Sequence, residues 1–272
     1  MSMTIKQAPG YVSGQLIKIR GTGGGFKVST STPSAPTIVQ SGLILHLDAG
    51  DPSSYPGFGN SWTDLSGHGH EAVVIGTSYS SADGGSIDFG SETSPTTKYG
   101  IVSMSSNLRP TTGLTEAVWV KQPAFSAGLR VYIAVQKGTG TENSYALFTG
   151  GSNELYGDVH TGTEIYDWRG TTTLNTWQYL VHTYDGSSQE LYINGLSVGW
   201  FSTSGNIQYD MSNTLLTLGM NYDGPGYDTG ISGHGIGNMS IVQIYNRALS
   251  SLEIVQNFNV TCARYGLSPI VP

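Results

Sequence analysis

Charge and cysteine are both scarce in this chain of 272 residues. Charged residues make up 11% of it, against about 25% in an average globular protein. Glycine supplies 38 residues, and glycine, serine and threonine are all weak helix formers. Since 38% of the residues are hydrophobic and 10% are aromatic, the chain can still bury a core. The composition excludes a helical bundle, a coiled coil and a basic nucleic-acid-binding protein, and it predicts an all-β protein.

Two further absences bear on location. The single cysteine, Cys262, cannot form an intramolecular disulfide, so a disulfide framework is excluded. The first residues lack the apolar run of a signal peptide. No stretch approaches the roughly 18 apolar residues of a membrane helix. We therefore expect synthesis in the cytoplasm and no membrane partner.

The charge that is present is distributed unevenly. Residues 1–40 contain four basic residues and no acid, a net charge of +4, whereas residues 41–272 carry −11. The basic residues are Lys6, Lys18, Arg20 and Lys27. Alternating apolar and basic residues on either side of a glycine run predict a β-hairpin in the first segment, and a proline-containing linker follows it. We interpret 1–40 as a basic docking arm and 41–272 as a separate domain.

Short strands separated by turns are predicted throughout residues 41–272. Runs rich in aromatic and β-branched residues end at turn signals, of which Asp185-Gly186 and Asn194-Gly195 are the clearest. The tryptophans at 62, 119 and 177 occupy core-like strand positions. More than ten strands without βαβ alternation favour a two-sheet antiparallel sandwich or jelly roll.

Residues 250–259 are the one segment with a helical pattern. Ser250 and Glu253 have the spacing of a capping box. Leu252, Val255 and Phe258 recur at helical spacing, which predicts that they share a buried face.

Three separated motifs resemble those of laminin-G-like domains. They are GLILHLDAGDP with WTDLSGHGH at 42–70, WQYLVHTYDG with LYING at 177–195, and GNMSIVQIYNRALS at 237–250. The resemblance extends over about residues 41–267. It implies a concanavalin A-like antiparallel β-sandwich (a jelly roll) with a short N-terminal arm and one short C-terminal helix. The first and last motifs are also similar to laminin-G-like domains of tailed-bacteriophage structural proteins.

The same superfamily includes glucanases, which carry Glu-x-Asp-x-(x)-Glu on one strand. Here Glu164 and Asp167 are followed by Trp168, and Asp158 lies six residues before Glu164. These spacings do not place all the carboxylates on one strand face. We therefore expect no enzymatic activity, no catalytic residues and no cofactor.

Metal ligation is a further alternative. His68 and His70 could contribute to a zinc site, but their Gly-rich context favours an ordinary turn. Asp48, Asp51 and Asp64 could supply oxygen ligands to a structural calcium ion. Asp64 equally fits a side chain that accepts backbone N–H groups of its own turn. No metal site is predicted, and structural calcium stays open.

Two segments combine aromatic rings with polar side chains, as sugar-binding sites do. One contains Tyr166 and Trp168. The other is a predicted loop, whose candidate glycan-binding residues are Tyr222, Asp223, Tyr227 and Asp228.

These observations predict a non-enzymatic bacteriophage structural protein, located in the virion, that decorates or cements a capsid. The arm would dock on the major capsid protein or another virion protein, and the jelly roll would be displayed outward. We expect a homo-oligomer, with trimers compatible with such lattices, and no nucleic-acid partner. The alternative is a carbohydrate-binding module, or a tail-fibre or adsorption protein, that recognises host surface polysaccharide.

Overall fold

The computed structural model divides the chain into two compact units, Met1–Thr37 and Ile38–Pro272. It describes the backbone of 17–20 and 27–30, and the following segments in full: 37–90, 98–124, 128–136, 142–211, 215–220 and 236–271. In the first unit, β1 (Ile17–Arg20) pairs antiparallel with β2 (Lys27–Thr30). This pairing confirms the predicted hairpin.

The second unit is built from short strands. Their bounds are β3 Leu43–Asp48, β4 Ser61–Trp62, β5 Ala72–Ile75, β6 Ser78–Ser80, β7 Ser86–Asp88, β8 Tyr99–Ser103, β9 Leu114–Lys121, β10 Arg130–Gln136, β11 Asn143–Thr149, β12 Glu154–His160, β13 Glu164–Thr171, β14 Trp177–Tyr184, β15 Ser188–Ile193, β16 Leu196–Ser202, β17 Leu215–Leu218 and β18 Asn238–Tyr245. Within the described residues, short 3-10 turns lie at Ala82–Gly84 and Cys262–Tyr265, and one α-helix, α1, spans Ser251–Thr261.

The strands of the second unit form two antiparallel sheets. The order in the first sheet is β13-β12-β11-β10-β17-β8-β5-β4. The order in the second is β16-β15-β14-β9-β18-β7-β6, and β3 also pairs with β18. This all-β antiparallel sandwich with one short C-terminal helix confirms the predicted fold class. Strands β13 and β16 are edge strands of different sheets and lie against each other.

The three tryptophans predicted to be internal are buried. Trp62 and Trp119 have no exposed surface, and 6% of Trp177 is exposed. Trp62 belongs to the main core between the sheets. Trp119 and Trp177 belong to a second apolar cluster, which includes residues of α1. The core therefore has two layers, one inside the sandwich and one between the second sheet and the helix.

Helix α1 begins with the predicted capping box. The Ser250 hydroxyl accepts from the Glu253 N–H, and the Glu253 carboxylate accepts from the Ser250 N–H at 2.9 Å. Arg247 donates to both Glu253 oxygens, at 2.6 and 2.9 Å. The hydrogen bonds from Arg247, followed by those of the cap, lower the pKa of Glu253 to about 2.

One part of the helix prediction is wrong. Val255 and Phe258 are buried, as expected, but Leu252 is 69% exposed. The buried face is centred on Ile254 and Phe258, which are four residues apart. Leu252 lies two residues before Ile254, and residues at that spacing point to different sides of a helix.

Candidate functional site

Strands β10 to β13 direct alternate side chains to two different surroundings. Leu155 and Val159 of β12 belong to the main core. Tyr156, between them in sequence, instead packs with Phe148 and Val131 in a separate apolar cluster. Because successive side chains of a strand point to opposite faces, Tyr156 lies on the face turned away from the sandwich interior. We call this side of β10–β13 the outer face.

Apolar side chains form one row across the outer face. The strand register places Val131 opposite Phe148, Phe148 opposite Tyr156, and Tyr156 opposite Trp168. The rings of Phe148 and Tyr156 are stacked, with centroids 4.9 Å apart and planes 5° from parallel. Directly opposite residues project to the same side of a sheet. The row therefore runs from the sheet interior to its edge and ends at Trp168.

Exposure increases along this row toward the edge. Phe148 is 7% exposed, whereas Trp168 is 49% and Tyr166 is 56% exposed. The Tyr166 ring centroid lies 6.3 Å from that of Tyr156. The structure thus brings the predicted residues Tyr166 and Trp168 together with Tyr156 and Phe148, which the sequence analysis missed. The other four predicted glycan-binding residues, Tyr222, Asp223, Tyr227 and Asp228, lie outside the described residues.

A polar group adjoins the aromatic row on the same face. Asp158 lies opposite Tyr166, and the Glu164 carboxyl is within hydrogen-bonding reach of Asp158. Asp158 is only 1% exposed. Burial raises the pKa of Asp158 well above its ordinary value, and the nearby Glu164 carboxyl raises it further. Asp158 therefore holds its proton to a higher pH than an ordinary aspartic acid does.

Three polar atoms in this group are buried without a hydrogen-bond partner in the described part of the chain. They are Asp158 Oδ1, Asn143 Oδ1 and Ser144 Oγ. Asn143 Nδ2 donates to the other Asp158 oxygen at 3.4 Å, and the Asn143 N–H donates to Glu164 at 2.8 Å. Unsatisfied buried polar atoms are uncommon in folded proteins. Each of these three is a candidate to bond a water molecule or a ligand hydroxyl.

A buried chain of hydrogen bonds attaches β13 to the second sheet. Glu116 Oε2 lies 2.8 Å from His182 Nδ1, and His182 Nε2 lies 2.8 Å from Gln189 Oε1. Gln189 Nε2 then donates to the Ile165 carbonyl of β13 at 2.9 Å and to Thr203 Oγ1 at 2.8 Å. Burial raises the pKa of Glu116, and the hydrogen bond with His182 opposes that shift. These hydrogen bonds fix the inner side of β13, whose outer side carries Tyr166 and Trp168.

Gly157 of β12 leaves room for the His182 side chain of this hydrogen-bond series. A Cβ atom at position 157 would lie 2.3 Å from Cδ2 of His182. Glycine at this position leaves the space that the His182 ring occupies.

Arg169 of β13 links the edge strands β13 and β16 of the two sheets. Its guanidinium pairs with Asp167 at 2.7 Å, and its Nε donates to the Trp200 carbonyl at 3.3 Å. It also lies over the Phe201 ring, 5.3 Å from the centroid. Trp200 alternates with Phe201, which packs in the core, so the 65% exposed Trp200 ring lies on the outer side of the second sheet.

The predicted role of Asp64 as a turn residue is confirmed. Its oxygens accept the N–H groups of His46, Ser66 and His70 at 2.9–3.0 Å. Burial opposes ionisation of Asp64, but these bonds together hold its pKa below the ordinary value. Asp48 accepts two bonds from Arg264, at 2.5 and 2.8 Å.

Among the described residues, no group of three or more His, Cys, Asp or Glu side chains is arranged to hold a metal ion. His68 and His70 have parallel rings 6.0 Å apart. The structure also contains, within those same residues, no helix with the length and apolar character needed to cross a membrane.

The proposed docking residues are described only in part. Lys6 lies outside the described residues. Lys18 and Arg20 are in β1 and Lys27 is in β2, where the structure describes the backbone. Their role in docking stays a prediction, as does the boundary at residue 40.

Two stacked antiparallel sheets in this order define a concanavalin A-like β-sandwich domain. A family model supports this class directly. Residues 95–255 match a model of the third laminin-G type. Its description is "Concanavalin A-like lectin/glucanases superfamily". The chain belongs to this family, as its motifs indicated.

Solved structures of clostridial toxin binding domains have a similar fold. The binding domain of Paraclostridial Mosquitocidal Protein 1 gives a TM-score of 0.60 at 17% identity, covering 81% of this chain and 52% of that one. The binding domain of botulinum neurotoxin DC in complex with SialylT gives 0.59 at 16%, covering 82% and 52%. The same domain with rat synaptotagmin II gives 0.59 at 16%, covering 81% and 52%.

The chain thus spans about half the length of those binding domains. At this identity the likeness shows the fold alone. A search of curated protein sequences found no match.

Proposed function

We propose that this chain binds carbohydrate through the outer face of β12 and β13. The observation that carries this proposal is the pair of exposed rings, Tyr166 and Trp168, which continue a row of packed aromatics to the edge of a sheet. A contiguous patch of exposed apolar side chains on a soluble domain often marks a binding site.

The outer face offers both components that sugar recognition needs. The faces of Tyr166 and Trp168 suit the apolar C–H side of a pyranose ring. Glu164 is half-buried beside them and can accept hydrogen bonds from sugar hydroxyls. Rigid placement limits the entropy lost on binding, and the stacked Phe148–Tyr156 pair together with the Gln189 contact supports the strands that carry the rings.

Binding without hydrolysis fits the geometry of the carboxylates. In glycosidases, the two carboxyl groups stand roughly 5 Å or more apart, on either side of the scissile bond. Asp158 and Glu164 are instead close enough to hydrogen-bond each other. They lack the space for a glycosidic bond between them, so we assign them to ligand binding and to support of the two strands.

The fold neighbours support a binding role, since they are binding domains and one was solved in complex with SialylT. Adsorption to host surface polysaccharide is the corresponding biological role. The capsid-decoration role, the virion location, the virion-protein partners and the oligomer stay predictions from the sequence.

A glycan array with the full chain tests the proposal. We expect Trp168→Ala to weaken binding to each glycan that scores by about 10- to 100-fold, because it removes one of the two exposed rings that form the platform. Trp200→Ala is the matched control, since it removes an exposed tryptophan from the outer side of the other sheet. If the array shows no binding, or if both variants bind as the wild type does, the proposed site is wrong.

A further inference from the structure

We infer that the outer face selects uncharged glycans and discriminates against sialylated or uronic-acid glycans. This inference rests on the proposed function and specifies its ligand class. It concerns the charge and the hydrogen-bonding atoms around Tyr166 and Trp168.

The three strands that form the exposed part of the outer face carry an excess of acid. Residues 142–171 are described without a gap and contain five carboxylates and one guanidinium, a net charge of −4. The carboxylates belong to Glu142, Glu154, Asp158, Glu164 and Asp167. If Asp158 is protonated, the net charge is still −3. An anionic sugar stacked on Trp168 would therefore meet a field of its own sign.

The two arginines among the described residues of β10 to β13, Arg130 and Arg169, are already engaged. Arg169 is held by Asp167 and by the Trp200 carbonyl. Arg130, at the start of β10, has no exposed surface and donates to the Gly150 carbonyl and to Asn153. Recognition of a sugar carboxylate normally uses a guanidinium free to form two parallel bonds. Neither arginine is placed to provide one at the outer face without giving up its present contacts.

The unpartnered buried atoms point to the same ligand class. Asp158 Oδ1 and Asn143 Oδ1 are acceptors, and Ser144 Oγ can donate or accept. All three residues are at least nine-tenths buried. A hydroxyl group can satisfy each of these atoms, because it donates and accepts. The carboxylate group of an acidic sugar cannot satisfy Asn143 Oδ1, because it has no hydrogen to donate.

Matched glycan pairs test this inference. Each pair contains a neutral oligosaccharide and the same core carrying one sialic or uronic acid, for example lactose and sialyllactose, and affinities for the full chain are measured at low and at physiological salt. For every core that binds, we expect the acidic form to bind on the order of tenfold more weakly at low salt. The difference should shrink as salt screens the field.

Two variants locate the effect. Glu164→Gln keeps an acceptor for the Asn143 N–H and removes one negative charge. The difference in affinity between the neutral and the acidic glycan of each pair should therefore become smaller. Glu71→Gln makes the same charge change just before β5, near the opposite edge of the same sheet, and should leave the difference unchanged. Acidic forms that bind as well as their neutral cores would overturn the inference and leave carbohydrate binding intact. Failure of the wild-type chain to bind any of the cores, neutral or acidic, would instead overturn the proposed function itself.

Discussion

The contact between Gly157 and His182 supports a quantitative prediction about stability. In Gly157→Ala, the new methyl group would lie 2.3 Å from Cδ2 of His182 and 2.7 Å from its Cγ and Nε2. The ring cannot turn aside freely, because it has no exposed surface and is bonded on one side to Glu116 and on the other to Gln189. Either β12 must shift, or the ring must move and break buried hydrogen bonds.

The expected cost follows from three contributions. Overpacking a core costs about 1–3 kcal/mol. Disturbing buried hydrogen bonds adds roughly 1–3 kcal/mol. Replacing glycine by alanine inside a strand stabilises the folded state by only about 0.5–1 kcal/mol. We therefore expect Gly157→Ala to lower the free energy of unfolding by about 1–5 kcal/mol. Urea denaturation should show a lower midpoint with an unchanged slope.

Two comparisons make the prediction specific. In Gly151→Ala, the nearest atom to the new methyl lies 3.5 Å away, so this control should change stability by no more than about 0.5 kcal/mol. In a double-mutant cycle with His182→Ala, the Gly157→Ala cost should largely disappear, since the ring is gone. The reasoning is refuted if Gly157→Ala is as stable as the wild type, or if its cost is the same with and without the His182 ring.

Two further predictions concern pH. Asp158 has a folded-state pKa above its ordinary value of 3.8 because of burial and Glu164, so the wild type should lose stability as pH rises from about 4 toward that raised pKa. Asp158→Asn should be relatively more stable at pH 8 than at pH 4 in urea titrations, and an equal difference at both values would contradict this. The pKa of Glu253 is shifted in the opposite direction, from 4.5 to about 2. The stability that Glu253 contributes is therefore present above pH 4.5 and is lost as pH falls toward 2. For this partly exposed pair, Glu253→Gln should cost about 1 kcal/mol at pH 7 and almost nothing near pH 2, and an undiminished cost at low pH would count against it.

Local features of this fold were predictable because their causes lie within a few residues. Asn194 and Gly195 have φ of 52° and 81°, as a tight hairpin between β15 and β16 requires. Asp64 accepts the N–H groups that a polar side chain in a turn can reach. The capping box of α1 likewise depends on two residues at fixed spacing. In each case short-range chemistry determines the structure.

The outer face could not be predicted in the same way. In the sequence analysis, the spacing of the carboxylates was compared with that of a single strand, and Asp158 and Glu164 do not fit such a spacing. Across the β12–β13 hairpin, however, Asp158 pairs with Tyr166 and His160 with Glu164, which places both carboxylates on one side. That register depends on the length of the connecting turn and on the tie between Gln189 and Ile165. The sequence indicated Tyr166 and Trp168, but their combination with Tyr156 and Phe148 required the sheet order.

The alternation of β12 and β13 separates stability from binding on the same two strands. Gly157 and Ile165 point inward, where one accommodates His182 and the other receives the Gln189 bond through its carbonyl. Tyr166 and Trp168 point outward and are largely free of core contacts. Substitutions at inward positions should therefore change unfolding free energy and shift ligand affinity only through movement of the strand. Substitutions of the exposed outward rings, Tyr166 and Trp168, should change affinity at nearly constant stability, because an exposed ring contributes little to the core. A domain built this way can vary its ligand by changing outward residues while the buried hydrogen-bond chain continues to hold the edge strand in place.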